Sequence, residues 1–165
     1  NHSNKAAMLW SLRCPVMAFF GAGVLGLIHR FTSINFYTHG TQLTAAHGHL
    51  AFYGAYVMLN LAFFTYALPA LRGLQPFNQI LNMWSFWLMT GSMVLMTFTL
   101  AFAGVLQTHL QRVLAMGFMQ IQSQVELFYW FRLGSGVFFV IGAILFIYSA
   151  LGPVREQVTA QSHSH

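Results

Sequence analysis

A chain of 165 residues that is 57% hydrophobic and 5% charged lies far below the roughly 25% of charged residues usual in a soluble globular domain; this excludes a soluble enzyme and indicates a polytopic membrane protein. The formal net charge of +5 comes from 7 Lys/Arg against 2 Asp/Glu, with no basic run to follow a phosphate backbone, so nucleic acid is excluded as a partner and the charges bear on topology. A single cysteine, Cys14, rules out an internal disulfide and reads as a packed thiol.

The expected fold class is all-α, a single membrane domain with four spans of about 20 residues each. The start is polar, lacks an early Met and has no signal-peptide pattern, so the sequence reads as the middle of a longer chain. Residues 1–13 form a polar approach with Trp10 at an interface, and the first span covers 14–29. Pro15 suits a first helical turn, where its missing donor costs nothing. Gly21, Gly23 and Gly26 match G-x-G-x-x-G, but no strand precedes them, and that motif needs a strand-to-helix turn to hold a dinucleotide. Small residues that let a helix or a flat cofactor approach closely are the better account. His29-Arg30 ends the span, and 31–41 is a polar, aromatic connection holding His39.

The second span covers 43–69, with Pro69 closing it and a short turn over 71–78. The third covers 80–106, long enough to tilt, with Trp84 and Trp87 placed as an aromatic belt. Residues 107–124 form an outer connection with His109 and Arg112. Its apolar Leu110, Val113, Leu114, Phe118 and Ile121 recur at helical spacing, as a surface helix or ordered loop would. The last span covers 128–151, entered past Glu126, Tyr129, Trp130 and Arg132. Gly152-Pro153 stops it, and 152–165 is a polar tail. Four spans put both termini on one side with Lys5, Arg13, Arg72 and Arg155, against Arg30, Arg112 and Arg132 on the other. That small excess favours cytoplasmic termini.

Among the eight histidines, His2, His163 and His165 lie in the polar ends and read as solvated. His29, His39 and His109 read as hydrogen-bonded structural residues of the connections. His47 and His49 differ, because they are paired at the start of an uncharged span, where an imidazole is costly and usually has a partner. Two residues apart on a helix is about 200°, so the rings leave from nearly opposite sides. One helix then ligates two metals, one on each side, a geometry that suits two hemes better than one ion. Structural hydrogen bonding is the alternative that the residues leave open. Gly48, Gly54, Ala45, Ala46 and Ala51 remove bulk near the rings, as a planar cofactor or plain helix packing would require.

The string from Tyr37 to Tyr56, YTHGTQLTAAHGHLAFYGAY, resembles the large subunit of the bacterial cytochrome-c-dependent nitric oxide reductases, within the heme–copper oxidase superfamily. Residues 82–87 (NMWSFW) and 107–113 (QTHLQRV) are similar to the same family, and the resemblance covers nearly the whole chain. It implies the last four helices of a twelve-helix fold, in a bacterial inner membrane, with the heme-ligand end toward the periplasm. It further implies that His47 is the proximal ligand of high-spin heme b3, and so catalytic, and that His49 is one axial ligand of low-spin heme b. Arg112 is the leading partner for heme propionates, with His39, His109 and Arg132 behind it. The implied activity is reduction of two NO to N2O and water, with electrons passed from heme b to heme b3 and a non-heme iron. The ligands of that iron lie outside this chain, so the chain is not active alone. The implied partners are the remaining N-terminal helices of the large subunit, a cytochrome c subunit, the lipid bilayer and NO as substrate. A piece of an oxygen-reducing heme–copper oxidase and a b-type heme electron carrier are the competing expectations.

Overall fold

The computed structural model describes residues 4–73 and 76–151; the tail over 152–165, with His163 and His165, lies outside them, as does His2. Among the described residues there is no strand. Helix α1 runs Lys5–Arg30, and α2 is a short helix, Thr32–Thr38. Three longer helices follow: α3 (Gln42–Arg72), α4 (Gln79–Val113) and α5 (Phe118–Leu151). The four long helices are long and apolar enough to cross a membrane, so each satisfies most of its backbone internally. They alternate in direction. The start of α4 meets the end of α5, where the Asn78 N–H donates to Ser149 O at 3.3 Å. The start of α1 meets the same end of the bundle, where the Ala6 N–H donates to Gln79 Oε1 at 2.9 Å. At the opposite end the Gln42 N–H donates to Gln107 Oε1 at 3.1 Å, which satisfies one orphan donor of α3.

The packing is layered by helix halves. α4 pairs with α5 along its length, and Ser85 Oγ donates to Gly142 O at 2.7 Å where they cross. The first half of α3 lies on α4, and its second half lies on the first half of α1. The core gathers Trp10, Tyr53, Met58, Phe86 and Met89 between these helices. Trp10 is fully buried, packed edge-on to Phe86 at 4.9 Å, and its Nε1 donates to Asn82 Oδ1 at 2.7 Å. Trp10 is therefore a core residue and not the interfacial anchor expected. The indole N–H needs a buried acceptor, and Asn82 supplies it from a different helix.

The helix boundaries also depart from expectation. α1 begins at Lys5, with the Asn4 side chain capping Ala7 N–H, so Pro15 is internal and not in a first turn. Pro69 is internal as well, and α3 continues to Arg72, where Gly73 takes the left-handed conformation that ends it. A proline inside a helix frees the carbonyl four residues back. For Pro69 that carbonyl is Thr65 O, and it accepts from Asn4 Nδ2 at 2.8 Å. Residues 107–124 are not a separate surface helix. α4 runs through to Val113, α5 starts at Phe118, and the short break between them includes Ala115 at φ 51.

Three turns in these helices are π-helical: Phe19–Val24 in α1, Tyr53–Val57 in α3 and His109–Val113 at the end of α4. Where bonding at spacing five reverts to spacing four, one carbonyl is passed over. After the first turn the Leu25 N–H takes Phe20 O, and the next carbonyl is Gly21 O. After the second, the Met58 N–H takes Tyr53 O, and the next is Gly54 O. Both glycines lie where α1 and α3 touch. A Cβ on Gly21 would stand 2.6 Å from Leu50 C and Ala51 N, and one on Gly54 would stand 2.6 Å from Met17 C and Ala18 N.

Candidate functional site

The first two turns of α3 position the histidine pair. Thr41 caps the helix, its Oγ1 accepting from the Leu43 N–H, and His47 and His49 follow on opposite sides. His47 Nδ1 lies 2.8 Å from Gly21 O on α1. That is the carbonyl passed over by the π turn, and it is free to accept. His49 Nδ1 lies 2.8 Å from Ala45 O in its own helix. A carbonyl accepts and never donates, so each Nδ1 carries a proton, and in the neutral ring each Nε2 keeps its lone pair. This is the neutral tautomer that ligates a metal through Nε2.

Each ring lines its own cavity. The His47 cavity holds about 780 Å³ and is lined by Ala22, Gly26, Leu27, Arg30, Gly48, Ala51, Phe52, Ala55 and Tyr56. The His49 cavity holds about 720 Å³ and is lined by Met96, Tyr129, Arg132, Leu133, Gly136, Val137, Val140 and Ile141. The two share no residue. Both volumes fall in the usual range for cofactor-sized ligands, roughly 300–1,000 Å³, and both linings are mostly apolar with a few polar groups. The His47 side is floored by alanines and glycines, the clearance a flat macrocycle needs.

Gly48 has open space where a Cβ would stand and lines the His47 cavity. Gly54 instead serves the α1–α3 contact. Ala46 is fully buried against Met96 and Leu100, so it packs helices and clears no cofactor. Of the G-x-G-x-x-G residues, Gly21 supplies the carbonyl and Gly26 abuts His47 Cε1, 3.2 Å from an added Cβ. All three lie within helix α1.

The cations divide differently from the expectation. Arg112 is on the exposed π turn closing α4 and lines neither cavity. Arg30 lines the His47 cavity and Arg132 the His49 cavity, both with exposed side chains at the same end of the bundle. Sequence reasoning misses Arg30 because a charge at the end of an apolar run reads as the stop of a span. Ala22, Gly26 and Arg30 recur at spacing four, so two small residues and a cation share one face, a signal present in the sequence. Tyr129 sits beside Arg132, its hydroxyl donating to Gln122 Oε1 at 2.9 Å and accepting from Gln42 Nε2 at 3.2 Å. His39 and His109 are exposed and line neither cavity. Glu126 accepts from Trp130 Nε1 at 3.4 Å. Among the described residues no cluster of three or more His, Cys, Asp or Glu forms a metal site.

Residues 1–149 match the family model described as Cytochrome C and Quinol oxidase polypeptide I. The chain is 50% identical to a nitric oxide reductase subunit of Stutzerimonas stutzeri, over an alignment covering 90% of this chain and 33% of that protein. It thus spans about a third of the length of the curated relative it matches.

Proposed function

The chain belongs to the Cytochrome C and Quinol oxidase polypeptide I family, and from that premise we propose that it is the heme-bearing part of a nitric oxide reductase. His47 Nε2 would hold the iron of a high-spin heme b3, and His49 Nε2 that of a low-spin heme b. When bound, these groups, with a non-heme iron held by residues outside this chain, would supply the one-electron chemistry that reduces two NO to N2O and water. The residues here bind and orient. Gly21 O and Ala45 O fix the proton on each Nδ1 and leave each Nε2 free. The helix between the rings would stand between the two groups. Arg30 and Arg132 stand at the cavity mouths, where a guanidinium meets a carboxylate well. Arg112 stays in the proposal as a further cation at the same end.

The observation that carries this reading is one helix with two proton-fixed imidazoles lining two separate cavities. Identity to a nitric oxide reductase favours nitric oxide over oxygen as substrate, and metal analysis of the whole complex, iron against copper at the third site, decides it. A b-type carrier built from this chain alone is disfavoured, because His49 is the sole histidine among the residues lining its cavity. The second axial ligand, the remaining large-subunit helices and a cytochrome c subunit are therefore proposed as partners, in the bacterial inner membrane.

The test uses the full-length protein in its complex. His47→Ala should remove the high-spin heme signal and leave the low-spin one, and His49→Ala should do the reverse. Retention of both signals in either variant, or exchange of the two losses, overturns the assignment.

A further inference from the structure

The two histidines are held differently. His49 bonds a carbonyl one turn back in its own helix, so the side chain closes a ring with its backbone, and that ring fixes the imidazole plane. His47 bonds a carbonyl on α1. One hydrogen bond fixes where Nδ1 points but leaves the plane free to turn about that direction, and the last torsion of a histidine is intrinsically broad. A second contact is needed to hold the plane.

His29 provides it. Gly26 and His29 are three apart near the end of α1, so they share a face, and both meet His47. Gly26 abuts the Cε1 edge. The His29 ring stacks on the His47 ring with centroids 5.3 Å apart and planes 22° apart. His29 is itself held, its Nδ1 lying 2.7 Å from Leu25 O one turn back. Its Nε2 is buried without a hydrogen-bond partner among the described residues. The bond to Leu25 O accounts for one nitrogen of the ring, and a buried polar atom left unpaired is a cost, so hydrogen bonding among the described residues does not account for the other. The flat face it lays on His47 does. Among the described residues no second ring stacks on His49 in this way.

Resting on the ligand assignment above, we propose that His29 is a positioning residue that fixes the ring plane of His47, and with it the orientation of the proximal imidazole toward the high-spin heme. The role lies in the flat ring and not in its nitrogen.

The experiment is resonance Raman spectroscopy of the ferrous full-length complex, reading the iron–histidine stretch of the high-spin heme in His29→Ala, His29→Leu and His29→Phe. Ala and Leu should displace or split the band, Phe should restore it, and the low-spin heme bands should stay the same in all three. Leu fills the space without a flat face, so it covers the case in which Ala does not assemble. An unchanged band in the Leu variant, or a band displaced by Phe as far as by Leu, overturns the proposal. A band that survives His47→Ala overturns the ligand assignment itself, and the proposal with it.

Discussion

At the residue scale, the site depends on which atoms are left free. Each of the two histidines proposed as ligands has one nitrogen committed to a carbonyl, and its ring lines its own cavity; the anionic edge of a heme would then find Arg30 on one side and Arg132 on the other. A rim charge acts through a partly wet medium. At an effective dielectric of about 20 it contributes on the order of 1 kcal/mol, or roughly 40 mV on a one-electron couple. A nearby positive charge favours the reduced iron, so removing it lowers the potential. Arg132→Gln should therefore lower the midpoint potential of the low-spin heme by tens of millivolts, and Arg112→Gln should move it less, as a spectroelectrochemical titration would read. A larger shift from Arg112 would restore it as the leading propionate partner. The opposed directions of His47 and His49 were legible in the sequence because the angle between neighbouring positions is fixed by helix geometry. The acceptor of His47 was not, because Gly21 is on another helix and becomes available through a local change of helix type that no residue pattern announces.

At the element scale, the π turns do the joining. The first two each pass over one carbonyl, and each such carbonyl has a donor from another helix: Gly21 O from His47 on α3, and Gly54 O from Cys14 Sγ on α1 at 3.1 Å; at the third, which ends α4, Leu110 O accepts from the Met116 N–H of the following turn at 3.0 Å. α1 and α3 thus exchange bonds at two points where glycine lets their backbones touch. This explains why the small residues were visible in the sequence while their division between packing and cofactor clearance was not. The same physics moved the expected helix ends. In water a proline marks a boundary, but inside a membrane bundle the helix continues if a side chain reaches the freed carbonyl, as Asn4 does for Pro69. Gly54→Ala should push α1 from α3, cost about 1–3 kcal/mol as overpacking, and lower the temperature at which the purified complex loses its high-spin heme spectrum. Gly91→Ala enters open space and should leave that temperature unchanged or raise it. Equal behaviour of the two variants would show that the α1–α3 contact does not set the stability of the site.

At the scale of the whole molecule, the bundle encloses its helices unevenly. α4 is the most enclosed helix, with 50% of its apolar window buried, against 6% for α1. The His47 cavity opens beside Phe52 and Tyr56, both exposed, and Asn60, one turn on, is exposed too. An amide and an imidazole facing hydrocarbon would be costly, so this face fits the further large-subunit helices proposed as partners. Orientation follows from the four alternating helices together with charge. Among the described residues Lys5, Arg13 and Arg72 stand at the end holding Asn4, and Arg30, Arg112 and Arg132 at the end holding the histidines. That is an even division, which Arg155 in the sequence tips toward the terminal side. The expected orientation, with the termini in the cytoplasm and the histidine end outside, rests on that one charge, and labelling tests it. In a full-length background without other reactive thiols, an impermeant maleimide applied to intact cells stripped of their outer membrane should label His39→Cys and not Leu71→Cys. Both positions are exposed and lie at opposite ends of the bundle. The reverse labelling would invert the bundle, move the cavity mouths at Arg30 and Arg132 to the cytoplasmic face, and require any electron donor and proton inlet to be sought there.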